Sequence, residues 1–159
     1  MKKSMFMTLL LFAGISLFTS CDDDDDINPG QAFHEALRAK YPDVTHAEWE
    51  KKRGYRVADC WVGNSDLEVW FNAQVEWVMT ETELRYNELP DEVIAAFEAS
   101  QYVNWEREDF DKLEYPVAPT RYVIQVEQGN KEYDLYFSED GVLVEERNVT
   151  NKDDTHWPE

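Results

Sequence analysis

Residues 66–79, DLEVWFNAQVEWVM, read as two strands joined by a short turn. Leu67, Val69 and Phe71 fall on one side of the alternation, with Asp66, Glu68, Trp70 and Asn72 on the other. Period two marks a strand with two different faces, and the pattern resumes after a short turn as a second strand. Residues 132–144, EYDLYFSEDGVLV, repeat the statement: Leu67 matches Tyr133, Val69 Leu135, Trp70 Tyr136 and Phe71 Phe137, at a constant offset of 66. The chain is an internal duplication, and the fold argument starts there.

Each copy opens with an amphipathic helix. Residues 31–41 place Phe33, Ala36, Leu37 and Tyr41 on one apolar stripe, and Pro42 stops the helix. The second helix runs from Leu89 or Pro90 to Ser100 with Leu89, Val93, Ala96 and Phe97 inward; Asp91 and Glu92 suit its positive end. An offset of 56 lays Phe33 on Leu89, Leu37 on Val93, Tyr41 on Phe97 and Trp49 on Trp105. The second copy therefore carries roughly ten extra residues, expected around 112–120, which include Pro116 and Pro119.

Four strands follow each helix: 47–52, 55–62, 67–72 and 75–82, then 103–110, 121–127, 131–137 and 142–148. Gly54, Gly63-Asn64-Ser65, Gly129-Asn130 and Asp140-Gly141 mark tight turns, so neighbouring strands should pair antiparallel. One helix cannot cover both faces of four strands. The expected fold is α+β: a tandem repeat of a helix-plus-four-strand unit (31–82 and 88–148). It forms one antiparallel sheet of about eight strands with both helices on one face. Leu67, Val69, Phe71, Tyr122, Ile124, Val126, Tyr133, Leu135 and Phe137 should face the helices. Residues 149–159 read as a frayed polar tail, leaving nothing to cover the opposite face. Glu68, Trp70, Gln125, Glu127, Asp134 and Tyr136 alternate onto that face and form the candidate binding surface, since aromatics dominate interface hot spots. Alternatively, Trp70 and Tyr136 pair with cross-strand neighbours, worth about 0.2–1 kcal/mol each.

The N-terminus gives the address. Lys2 and Lys3 precede an apolar run over residues 5–18, too short and wrongly flanked for a spanning helix, and residues 1–20 read as an export signal. Thr19-Ser20-Cys21 resembles the lipobox of bacterial lipoproteins, which implies acylation of Cys21 as the mature first residue and anchoring by about 0.8 kcal/mol per buried CH₂. Five aspartates at 22–26 form a solvated tether reaching residue 30. Cys60 is then alone, a buried thiol rather than half of a disulfide. With 34 acidic and 15 basic residues, and Lys2 and Lys3 removed with the signal, the side-chain net is roughly −21, which repels nucleic acid and anionic membrane surfaces.

The segments AKYPDVTHAEWE, LEVWFNAQVEWVMTET, LPDEVIAAF and RYVIQVEQGNKEYDLYFSEDGVL, behind a lipobox, resemble the PepSY-like, β-lactamase-inhibitor-like lipoproteins of Bacteroidetes-type bacteria over residues 31–148. The resemblance implies a curved sheet whose concave face grips a protein partner, and, from the acidic run after Cys21, display at the cell surface. The inhibitor's disulfides are absent, and no inhibitory motif transfers.

Catalytic patterns are lacking. His34, His46 and His156 are scattered without HExxH or clustered-cysteine spacing, and no GxSxG, CxxC or phosphate-cradling loop occurs. Pairs such as Glu76 and Glu81 or Glu106 and Asp109 are unremarkable among so many carboxylates, and neither Asp22–Asp26 nor Glu108, Asp109 and Asp111 match a calcium loop. The expectation is a non-enzymatic module with no catalytic residues, metal or cofactor. It is an outer-membrane lipoprotein facing the periplasm or the cell surface, held to membrane only through Cys21, and it binds a protein such as a protease or envelope enzyme. A small-ligand or glycan sensor, a hydrolase of unfamiliar type and a plain spacer are the other readings. A pocket lined by Trp49, Trp70, Trp105 or Tyr136 would favour the sensor.

Overall fold

The computed structural model describes residues 28–152 and 156–158. The expected export signal, the expected acylation site Cys21 and the aspartate run lie outside the described residues. Helix α1 (Gln31–Lys40) leads into β1 (Val44–Lys52), β2 (Tyr55–Val62), β3 (Ser65–Phe71) and β4 (Trp77–Glu83). Helix α2 (Asp91–Glu98) then leads into β5 (Glu106–Glu114), β6 (Arg121–Gln128), β7 (Lys131–Phe137) and β8 (Leu143–Asn148). The eight strands form one antiparallel meander in chain order. The expected α+β duplication is therefore the fold, and β4 beside β5 is the seam between copies.

Both helices pack on one sheet face, each over its own half. Leu37 closes a cluster with Trp49, Ala58, Cys60, Leu67, Val69 and Phe71. Val93 and Phe97 close the other with Leu89, Tyr102, Ile124, Val126, Leu135 and Phe137. These are the inward residues of the period-two pattern. At the end of α1 the Tyr41 hydroxyl lies 2.9 Å from the Thr80 hydroxyl, which also accepts from Trp77 Nε1 at 2.9 Å. A buried threonine on the central strands is thereby satisfied. Cys60 is free and fully buried, and burial, then Asp59 and Asp66, push its thiol up to about 12. That thiol is inert.

Three local expectations need correction. First, β4 begins at Trp77 rather than residue 75. Asn72 Oδ1 accepts the backbone N–H groups of Gln74 and Glu76, and Val75 adopts φ 66, so residues 72–76 are a closed turn. Second, β5 spans Glu106–Glu114 rather than 103–110. Turn bonds from Val103 to Ser100 and from Trp105 to Tyr102 hold the preceding segment out of the sheet. Third, Trp49 pairs with Ala58 while Phe110 pairs with Ile124, the counterpart of Ala58. The partner of Trp49 in the duplication is Phe110, not Trp105. About half of the extra residues thus precede β5, and the rest form the loop at 115–120.

Gly141 sets the β7–β8 hairpin against α2. It has φ +78, and a Cβ there would collide with the Glu92 carbonyl, whereas Gly129, at φ +69, has nothing within 4 Å. Gly129→Ala should cost about 1–2 kcal/mol of conformational strain, and Gly141→Ala should cost about 1–3 kcal/mol more, because the hairpin must move away from the helix. Urea unfolding of the two variants measures the difference.

Candidate functional site

The face turned away from the helices carries the candidate surface. Strand register does bring Glu68 and Trp70 of β3, Gln125 and Glu127 of β6, and Asp134 and Tyr136 of β7 to this one face. The expectation that its aromatics are open to solvent is overturned: Trp70 is 1% exposed and Tyr136 5%. Trp70 packs with Val57 and Met79, and Tyr136 with Leu113 and Val123, forming two small clusters on the six central strands. Glu68, Gln125 and Glu127 are half-buried, and Asp134 is fully buried.

The cover comes from the segment expected to fray. Val149 is fully buried and donates its backbone N–H to the Glu132 carbonyl, and Thr150 bonds the Glu132 backbone, so the chain stays on the sheet past β8. Residues 156–158 then lie on the face. Trp157 meets Trp70 edge-on with ring centroids 5.5 Å apart, and the Arg53 guanidinium sits 3.5 Å from the Trp157 ring. Edge-to-face pairing and a cation over the ring explain why this indole, at the end of a polar segment, does not stay in water.

Beside it, His156 is inserted into a row of acids. Its Nδ1 lies 3.0 Å from Glu81 Oε1 and its Nε2 3.3 Å from Asp134 Oδ2. Gln125 Nε2 donates to Asp134 Oδ1 at 3.1 Å. Asp111 of β5 is 8% exposed, and its carboxylate, Glu81 and His156 have donor atoms within 4.8 Å of one another. Burial alone would lower the pKa of His156, but Asp134 and Glu81 raise it to about 10. Burial, then Glu81, pushes Asp111 up to about 8. Farther along, Lys52 bridges Glu50 at 2.8 Å and Glu68 at 3.0 Å. The sequence pointed to Asp134 and Gln125 but not to Glu81, Asp111 and His156 as a set. These lie on two strands and a tail, and no local spacing joins them.

Next to the tail lies a cavity of about 470 Å³. Its walls are the loop Tyr115–Pro119, Tyr136 and Val144 of the sheet, and Trp157. Arg121, Glu145, Arg147 and His156 set polar groups into a lining of aromatic, proline and aliphatic side chains. Val117 and Val144 stand exposed at 95% and 45%. Trp105 is elsewhere, packed against Tyr102 and Tyr133 on the helix side.

The chain matches the family model described as "Putative beta-lactamase-inhibitor-like, PepSY-like" over residues 54–145. A crystal structure of a BLIP-like protein from Bacteroides fragilis is 51% identical, covering 83% of this chain and 94% of its own, with a TM-score of 0.79. A DUF2874 family protein from Bacteroides ovatus is 30% identical, covering 80% and 92%, with a TM-score of 0.76. A protein described as "putative periplasmic" from Bacteroides eggerthii is 28% identical, covering 77% and 91%, with a TM-score of 0.73. No curated protein matches.

Two outcomes follow from this packing. Trp157→Ala should cost about 1–3 kcal/mol and shift the emission of the remaining indoles, while Trp70→Ala should cost about 3–5 kcal/mol because it empties a closed cluster. The acid row also sets a pH dependence. His156 and Asp111 both hold protons more tightly folded than unfolded, where they titrate near ~6.5 and ~3.9. The His156 contribution is complete below about 6.5 and is lost as the pH rises through its folded value. The Asp111 contribution fades from about 4 upward through its own folded value. In chelator-treated buffer the urea midpoint should therefore fall from about pH 6 to about pH 9, and His156→Gln should flatten that fall.

Proposed function

The chain belongs to the PepSY-like, beta-lactamase-inhibitor-like family, and from that premise we propose that it is a non-enzymatic, envelope-anchored binding module. The sheet face opposite the helices grips an extended segment of a partner protein. The observation that carries this reading is the chain's own tail, whose His156 enters the acid row while Trp157 docks on Trp70. A face that seats one segment with a cationic and an aromatic side chain has the chemistry to seat another. The acid row and the net charge of −19 favour a basic partner segment. The cavity beside the tail is where the segment's apolar side chain fits, bounded by the loop that only the second copy possesses.

The envelope address rests on the export signal and lipobox ahead of the domain and on the periplasmic description of one relative. An anchor at Cys21 followed by the aspartate tether holds the domain off the bilayer that its charge repels. Among the described residues no helix is long and apolar enough to cross a membrane. Regulation or inhibition of an envelope enzyme is the form of binding that the family's inhibitor-like description suggests. The cavity also supports a second reading, a sensor of a small apolar ligand, because Tyr136 and Trp157 line it with Arg121 and Arg147 nearby.

Photo-crosslinkers placed in living cells at Val117 and Val144, both exposed at the cavity, test the reading. A control at the exposed Glu35 of α1 reports the opposite face. One protein crosslinked from both cavity positions but not from Glu35, and lost in Arg121→Glu, is the expected result. Equal labelling from both faces, or none from the cavity, removes the protein-binding reading.

A further inference from the structure

We propose that Glu81, Asp111 and His156 bind a divalent transition-metal ion of the zinc class, which clips the C-terminal tail onto the open sheet face. This site goes beyond the partner-binding reading and does not depend on it. The three side chains come from β4, β5 and the tail, and one donor atom of each lies within 4.8 Å of the others. Closing that triangle onto an ion with bonds near ~2.0–2.2 Å takes a contraction of roughly an ångström, within reach of carboxylate rotamers. Nitrogen and carboxylate oxygen are the donor set zinc accepts, whereas an imidazole donor counts against calcium or magnesium.

Three further observations point the same way. Asp111 is 8% exposed, its carboxylate lies with Glu81 and His156, and the attraction of His156 opposes the cost of its burial. The two ring nitrogens of His156 are differently employed. Nδ1 faces Glu81 at 3.0 Å, and Nε2 faces Asp134 at 3.3 Å, with Asp134 itself held by Gln125 at 3.1 Å. Glu81 thus sits on the nitrogen that an ion would take, and the Asp134 carboxylate on the far side of the ring, itself held by Gln125, lies where a carboxylate orients a metal-binding imidazole. Finally, two ligand carboxylates and a neutral imidazole together balance one dication. The remaining coordination positions fall to water, since the cluster supplies three protein donors.

Equilibrium dialysis of the full chain against Zn²⁺, with metal analysis, tests the proposal. The expected result is one tightly bound ion per chain, undisturbed by excess Mg²⁺ and weakened about 10–100-fold or more in Asp111→Asn and in His156→Gln. Zn²⁺ should raise the thermal midpoint of the wild type and not of either variant. Weak binding that is equal in the wild type and both variants would reflect the many surface carboxylates and overturns the site, as does no binding. If a variant loses its fold, zinc anomalous diffraction from wild-type crystals decides. A peak among Glu81, Asp111 and His156 supports the site, and peaks only elsewhere, or none, overturn it.

Discussion

An eight-stranded sheet has two faces, and the described residues supply helices for only one of them. Every side chain on the other face must be polar, self-packed or covered by something that is not a helix. The chain does all three. Its outer strands carry charges such as Glu145 and Arg147, its central strands carry Val57, Trp70, Met79, Leu113, Val123 and Tyr136, and the last residues close over that apolar strip. The tail holds because its two side chains answer two different needs. Trp157 removes apolar area from water, and His156 brings a cation to buried acids.

The helix-side core and the opposite face were legible to different degrees. Period two through residues 66–79 and 131–137 fixed which side of each strand is buried against the helices, because a one-residue slip would turn every side chain over. The duplication supplied the strand count and the antiparallel order. Trp70 and Tyr136 could be assigned to the right face by the same alternation, but not their burial. Trp157 packs on Trp70, and His156 and Tyr115 pack beside Tyr136, and nothing local in a polar tail says which surface it will meet. Trp49 shows a related failure. A shared residue type at offset 56 suggested Trp105, whereas the hydrogen-bonded register, set through bulges in β1 and β5, gives Phe110. Side-chain identity is a weaker guide to equivalence than the ladder that holds the strands.

Buried acids on the open face follow from the same geometry. Glu81, Asp111 and Asp134 sit on strands in the middle of the sheet, where neighbouring strands limit access of water, and the tail limits it further. Crowded carboxylates in that setting raise one another's affinity for a proton or another cation. The cluster is therefore a place of stored electrostatic cost, relieved by His156. A surface that carried no function could have avoided the cost with threonine or valine, as Thr80 and Thr82 on the helix side of β4 illustrate. On this face the charge meets the tail, whose His156 lies against Glu81 and Asp134.

The two copies share a scaffold but not a site. In the first copy β1 turns into β2 at Arg53-Gly54, Tyr55 and Lys52 of the copy itself meet the Trp70 ring, and Trp157 adds a third contact with Arg53 against its own ring. In the second copy the corresponding connection is the loop at 115–120, whose Tyr115, Pro116 and Pro119 stand up as one wall of the cavity over Tyr136. Duplication alone would have produced two equivalent, shallow, aromatic patches. The inserted loop and the tail break that equivalence, and the cavity lies where both meet. On the proposed binding role, specificity would reside in the segments that the repeat does not share, while the repeated strands hold those segments at fixed separation. A relative that keeps the strands but changes the loop or the tail should keep the fold and bind something else.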